Sequence, residues 1–201
     1  MVEAAQTLFL RNGYAGTTME EIAALAGLTK RTLYNNYGDK EALFTGIVVD
    51  VITYADEFVR GLRTEFPAGI TASNLPTRLD ELGRRLALAI VRPEVVALRR
   101  LLIGEARLFP ALAAEYFDRV PGQVIDALAS GFTQLKKAGL LPATDSRRAA
   151  GQFAYLVAGE SLDRAMLVGA LPARDQIISV ASEGVRTFLA RYRRPKTARN
   201  G

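Results

Sequence analysis

The chain has 201 residues, 26 of them Lys or Arg and 21 Asp or Glu, for a formal charge of +5, and 49% of it is hydrophobic. That is enough apolar material to build one large domain or two small ones around a substantial core, which excludes a disordered chain. With no Cys and no His, disulfides, thiolate chemistry, a Ser-His mechanism and a zinc centre are excluded as well.

No run of about 18 apolar residues occurs and the N-terminus is amphipathic, so the sequence predicts neither a membrane span nor a signal peptide, and a cytoplasmic location. The positive charge is unevenly placed. Between Gly184 and Gly201 stand Arg186, Arg191, Arg193, Arg194, Lys196 and Arg199 with no acidic residue, which leaves residues 1–183 at −1. The high isoelectric point, near 9.7, is therefore a property of the C-terminal end. Two readings of it stay open: contacts to a polyanion such as a nucleic acid, or a solvated terminus that aids solubility.

Residues 2–12 carry Ala4, Ala5, Leu8 and Phe9 at helical intervals and stop at Asn12-Gly13, which predicts a first helix. The stretch Thr17–Lys40, TTMEEIAALAGLTKRTLYNNYGDK, predicts two short helices and a tight turn. Thr18 and Glu21 form a capping box, and Ile22, Ala23 and Ala26 make a small apolar face that another helix can cross closely. Gly27 ends that helix through a positive φ, Leu28 plugs the corner, and Thr29 caps a second helix over about residues 30–36. Leu33 and Tyr37 fall on its inner face, which leaves Lys30, Arg31, Thr32, Tyr34, Asn35 and Asn36 outside.

That outer face suits a duplex: cations meet phosphates or guanine edges, the Thr methyl meets thymine, and Asn pairs with adenine. Helix-turn-helix proteins read bases mainly from the N-terminal end of this helix, where Lys30, Arg31 and Thr32 lie. Asp39 caps a further helix, and its first-turn Lys40 lies beside free backbone amides that also favour a phosphate.

The run AGLTKRTLYNNYGDKEALF, preceded by TTMEEIA, resembles the DNA-binding domain of tetracycline-repressor-type (TetR) transcriptional regulators. The matching features are the Gly27 turn, the Leu33-Tyr34 pair, Tyr37 and the helix-opening Lys40, over roughly the first quarter of the chain. The resemblance implies phosphate contacts by Thr18, Tyr34 and Lys40 and base contacts from Lys30 to Thr32, with Asn36 standing where the family frequently has His. The candidate DNA-binding set is thus Thr18, Thr29, Lys30, Arg31, Thr32, Tyr34, Asn35, Asn36 and Lys40. Family members commonly have a longer first helix and a basic arm before it; here such an arm is either absent or lies upstream of Met1.

From Asp39 to about Phe66 the pattern predicts a long amphipathic helix striped by Phe44, Ile47, Val51, Phe58 and Leu62, about 40 Å in length. It is long enough to join a DNA-reading unit to a separate core. Pro67, Gly69 and the following polar residues make a loop. Helices follow at about 76–91, 93–108 and 110–138, the last interrupted at Pro121-Gly122 and therefore either kinked or in two pieces. Asp145 caps a helix to about Val168, and a final helix spans roughly 173–192. No alternating strand pattern, repeat or low-complexity segment occurs. The expected fold is all-α with about nine helices: a helix-turn-helix domain over 1–46, a helical ligand-binding and dimerisation domain over 47–193, and a basic tail over 194–201.

Ala150, Gly151, Ala154, Ala158 and Gly159, with the apolar face Ile177, Ile178, Ala181, Val185, Phe188 and Leu189, read either as an association surface or as core within one protomer. The resemblance implies a homodimer through these last two helices, with recognition helices roughly 34–36 Å apart on a pseudo-palindromic operator. Mid-chain aromatics, Phe58, Tyr116, Phe132 and Phe153 among them, read either as ordinary core or as the wall of a small-molecule site, with Arg99 and Glu105 as candidate polar contacts. The predicted function is a ligand-released, DNA-binding repressor. It is not an enzyme and needs no cofactor or metal. The alternatives are a helical-bundle enzyme using Glu105 or Glu160, or a protein-interaction adaptor.

Overall fold

The computed structural model describes residues 1–142 and 144–192, so the basic tail expected at 194–201 lies outside the described residues. Every regular element among them is a helix: α1 Val2–Asn12, α2 Met19–Leu25, α3 Lys30–Tyr37, α4 Lys40–Glu65, α5 Leu75–Ile90, α6 Pro93–Glu105, α7 Pro110–Phe117, α8 Gln123–Lys137, α9 Ser146–Val168 and α10 Arg174–Tyr192. A π-helical turn, Asp118–Gly122, separates α7 from α8. The interruption expected at Pro121-Gly122 thus resolves as two helices, because Pro121 has no amide to donate into the α-helical ladder. Counted as one interrupted helix, that stretch leaves the expected nine. None of these helices is long and apolar enough to cross a membrane.

Local chemistry explains the boundaries. Asp145 accepts the amides of Arg147 and Arg148 at 2.9 and 3.2 Å and so starts α9, while Gly169 closes it in the left-handed conformation. Asp39 caps α4 by accepting the Ala42 amide at 2.7 Å. Helix α6 stops at Glu105, three residues before the expected end, where the amides of Leu108 and Phe109 both turn back to its carbonyl.

The chain divides into two compact units, Met1–Glu57 with Pro93–Pro121, and Phe58–Arg92 with Gly122–Gly201. In the first, α6 and α7 share one apolar core with α1, α2, α3 and the first half of α4: Phe9, Ile22, Leu33 and Phe44 pack in the same cluster as Leu98, Leu102 and Tyr116. In the second, α5, α8, α9 and α10 pack on one another around Phe132, Phe153 and Phe188.

Close crossings in the second unit depend on missing side chains. A Cβ added at Gly184 of α10 would lie 2.3 Å from the Leu156 carbonyl oxygen of α9, and one at Gly83 of α5 would lie 2.6 Å from a Val185 methyl. Backbone cannot yield as a flexible side chain can. Gly184→Ala therefore lowers stability by about 2 kcal/mol, or roughly 4–8 °C in Tm. Gly104→Ala, on an α6 position with nothing within 4 Å of the added atom, is neutral or stabilising by up to ~1 kcal/mol. Thermal unfolding of the two variants beside the parent checks both signs.

Candidate nucleic-acid interface and effector residues

Helix α2 begins with the capping box that its sequence announces. The Thr18 hydroxyl accepts the Glu21 amide at 3.2 Å, and the Glu21 carboxylate accepts the Thr18 amide at 2.8 Å. The Thr18 amide first, and then the Thr18 hydroxyl, which donates to the same carboxylate at 2.9 Å, hold the Glu21 carboxyl below its ordinary range. At the other end Gly27 has φ 66°, and the amides of Leu28 and Gly27 return to the carbonyls of Ala23 and Ala24 at 2.9 and 3.2 Å. This is a Schellman motif, and it reverses the chain toward α3. Thr29 then caps α3 by accepting the Thr32 amide at 3.2 Å.

Leu33 is fully buried and Tyr37 half-buried, while Lys30, Arg31, Thr32, Tyr34, Asn35 and Asn36 are exposed, together with Thr18 and Thr29. Several of these groups have partners within the chain. Lys30 pairs with Glu20 of α2 at 2.7 Å, and that contact holds the Glu20 carboxyl below its usual range. Asn36 donates to the Thr32 carbonyl at 2.8 Å, and the Thr29 and Thr32 hydroxyls lie 2.9 Å apart. Both sets are exposed, so exchange for a phosphate or base edge costs little.

Lys40 differs from the rest of the candidate DNA-binding set. It is half-buried, and its ammonium donates to the carbonyls of Tyr14 and Thr17, each at 2.8 Å, while lying 4.4 Å over the Tyr14 ring. Two of its three N–H groups are thereby committed, and one remains to donate outward.

The six candidate effector residues come from both units. Arg99, Glu105 and Tyr116 belong to the first unit, and Phe58, Phe132 and Phe153 to the second. Phe132 and Phe153 meet edge to face at 5.6 Å inside a packed aromatic cluster with Phe66 and Phe188. Phe58 is half-buried. The Glu105 carboxylate accepts the backbone amide of Tyr14 at 2.9 Å. Tyr116 is 6% exposed, and its hydroxyl has no hydrogen-bond partner. Burial raises its pKa, and the charge of nearby Arg99 acts in the opposite direction. In the second unit, Gln152 accepts the Tyr192 hydroxyl at 2.5 Å.

Sequence reading overlooked Tyr14, which joins Phe9, Phe44 and Phe109 in a ring cluster with centroid separations of 4.8–5.8 Å. Its i, i+4 neighbours give no hint of that environment, because the partners come from other helices. A groove in the second unit, of about 120 Å³, is lined by the ion-paired Glu65 and Arg85 and by Arg78, Glu81, Phe66, Ile70 and Leu82. It falls below the roughly 300 Å³ of ordinary ligand sites and includes none of the six candidates. Among the described residues no cluster of carboxylates could hold a metal ion.

Residues 1–47 match the family described as bacterial regulatory proteins of the tetR family, and residues 77–194 match the AefR-like transcriptional repressor C-terminal domain. The probable regulator ArpR of Pseudomonas putida is 30% identical over 107 residues, 52% of this chain and 46% of the relative. The biofilm operon negative regulator IcaR of Staphylococcus epidermidis is 32% identical over 59 residues, 29% of this chain and 32% of the relative. The chain thus spans less than half the length of these curated relatives. Among solved structures, a TetR-family regulator of Mesorhizobium loti superposes with a TM-score of 0.82 at 29% identity, covering 96% of this chain and 95% of that one. The flavonoid-responsive regulator FrrA superposes at 0.68 with 28% identity, covering 98% and 96%. A capped helix-turn-helix with an outward cationic edge, followed by helices of AefR-like sequence, leads to one family: the chain belongs to the TetR family of DNA-binding transcriptional regulators, which are not enzymes.

Proposed function

We propose that this protein is a homodimeric repressor that binds a pseudo-palindromic operator and leaves it when a small, largely apolar ligand binds. The observation that carries the DNA reading is α3 itself, with Leu33 at 0% exposure and Lys30, Arg31, Thr32, Tyr34, Asn35 and Asn36 all outward. Residues 1–46 are the reading head and 47–193 the effector and dimerisation part; residues 194–201 add a basic tail. A transcription factor of this kind works in the cytoplasm. Repression, rather than activation, is supported by the AefR-like repressor family and by the negative regulator among the relatives.

Dimerisation is supported by the outer side of α9. Gly151, Tyr155 and Gly159 share one stripe at a spacing of four, an added Cβ at Gly151 meets nothing within 4 Å, and Tyr155 is 66% exposed. Ala150 and Ala158 are buried within the protomer, so the two sides of α9 serve different neighbours. Two copies of α9 and α10 form a four-helix bundle about a two-fold axis. The unpartnered Tyr116 hydroxyl beside Arg99 supports an effector that carries an oxygen to accept a hydrogen bond there. Similarity to a flavonoid-responsive regulator supports the same class, an oxygenated aromatic. A hundredfold fall in operator affinity needs only about 2.7 kcal/mol of differential binding, which a shift along the continuous α4 supplies.

Selection from a randomised duplex library should return an inverted repeat. Arg31→Ala should weaken binding to that repeat by about ten- to a hundredfold, and Tyr34→Ala should also weaken it. Full affinity in both variants would remove α3 as the reading surface. Sedimentation should give twice the 21.8 kDa of one chain, and Tyr155→Arg with Gly159→Arg should give monomers that bind the operator at least about tenfold less tightly. A parent protein that binds the repeat as a monomer would overturn the dimer.

A further inference from the structure

We infer that Glu105 is a positioning residue for DNA reading: from the end of α6 it holds the turn through which the chain enters the helix-turn-helix pair. The inference rests on the DNA-binding reading above and assigns a role to a residue outside the region that matches the DNA-binding family.

The geometry is continuous from α6 to α2. Tyr14 follows Gly13, whose φ of 72° ends α1, so the Tyr14 amide has no carbonyl of its own helix to donate to. The Glu105 carboxylate accepts it at 2.9 Å from 91 positions away, in a partly buried setting. The Tyr14 carbonyl, and that of Thr17, accept the Lys40 ammonium at 2.8 Å each. The chain enters α2 just after Thr17 and leaves α3 just before Lys40. One ammonium therefore closes the ends of the α2–α3 segment, and one carboxylate ties that closure to α6.

A second contact runs in parallel. The backbone carbonyl of Glu105 accepts the amides of Leu108 and Phe109 at 2.9 Å, and this turn aims the Phe109 ring at Tyr14 and Phe44, 4.8 Å from each. Side chain and backbone of Glu105 thus hold the same corner. A displacement of the α6–α7 elbow is passed to Tyr14, and from Tyr14 through Lys40 and Thr17 to the recognition pair. A charge-assisted hydrogen bond that leaves a partly buried amide without an acceptor when removed is the kind whose loss is felt most.

The test compares the parent with Glu105→Ala, Glu105→Gln and Glu105→Asp on the inverted repeat selected above, with Tyr14 amide hydrogen exchange read alongside. Glu105→Ala should raise the operator Kd about tenfold, equal to about 1.4 kcal/mol, and should speed exchange at Tyr14. Glu105→Gln, whose side-chain oxygen still accepts, should return the Kd to within about threefold of the parent. If Glu105→Ala does not fold, Glu105→Asp, one methylene shorter, should show the same loss. A variant that melts earlier but binds the repeat with unchanged Kd assigns Glu105 to stability alone and overturns the inference. So does a Gln variant as weak as the Ala one. If the parent selects no duplex at all, the DNA reading falls as well, whereas a parent that binds beside indifferent variants sinks only the role of Glu105.

Discussion

An eight-residue helix such as α3 has no stability of its own in water, so its neighbours must hold it. One fully buried side chain, Leu33, anchors it, and that anchor decides which of its other residues look outward. Caps at Thr18 and Thr29 and the Schellman turn at Gly27 set where the two short helices begin and cross. The exposed row of cations, hydroxyls and amides is the complement of Leu33. If that leucine faced the other way, Arg31, on the opposite side of the helix, would have to bury charge without compensation.

Helices α1, α2 and α3, with 11, 7 and 8 residues, cannot enclose much apolar surface by themselves. The structure meets this limit by lending them α6 and α7, whose Leu98, Leu102, Leu112 and Tyr116 complete the same core. Helices α1–α3 and α6–α7 therefore belong to one compact unit, and Tyr14 is held between them. Its amide is engaged by Glu105 of α6, its carbonyl by Lys40 of α4, and its ring by Phe9, Phe44 and Phe109. Burial, followed by the charges of Glu41, Asp39 and Glu105, raises its pKa.

The second unit solves a different problem. Its long helices have ample apolar surface but must cross closely, and Gly83, Gly131 and Gly184 provide the room. The aromatic residues at its centre pair with one another in edge-to-face and stacked arrangements, so each ring is satisfied by its neighbours. Small residues on α9 divide between that interior and the outer stripe, which explains why the sequence alone left core and association as rival readings of the same segment.

What the sequence determined by itself was local. Caps, the Gly27 reversal, the inward Leu33 beside the outward Tyr34, and the break at Pro121 are all written within one or two turns of chain, where backbone amides and side chains of neighbouring residues compete for the same partners. What only the tertiary structure decided joins residues far apart: Glu105 reaching the Tyr14 amide, Lys40 turned toward two carbonyls, α6 and α7 sharing the core of the head, and the candidate aromatics divided between two units. Helical periodicity states which side of a helix is apolar and leaves open which neighbour will cover it. That choice is made by packing, in which a carboxylate or a ring takes the one unsatisfied partner that folding brings within reach.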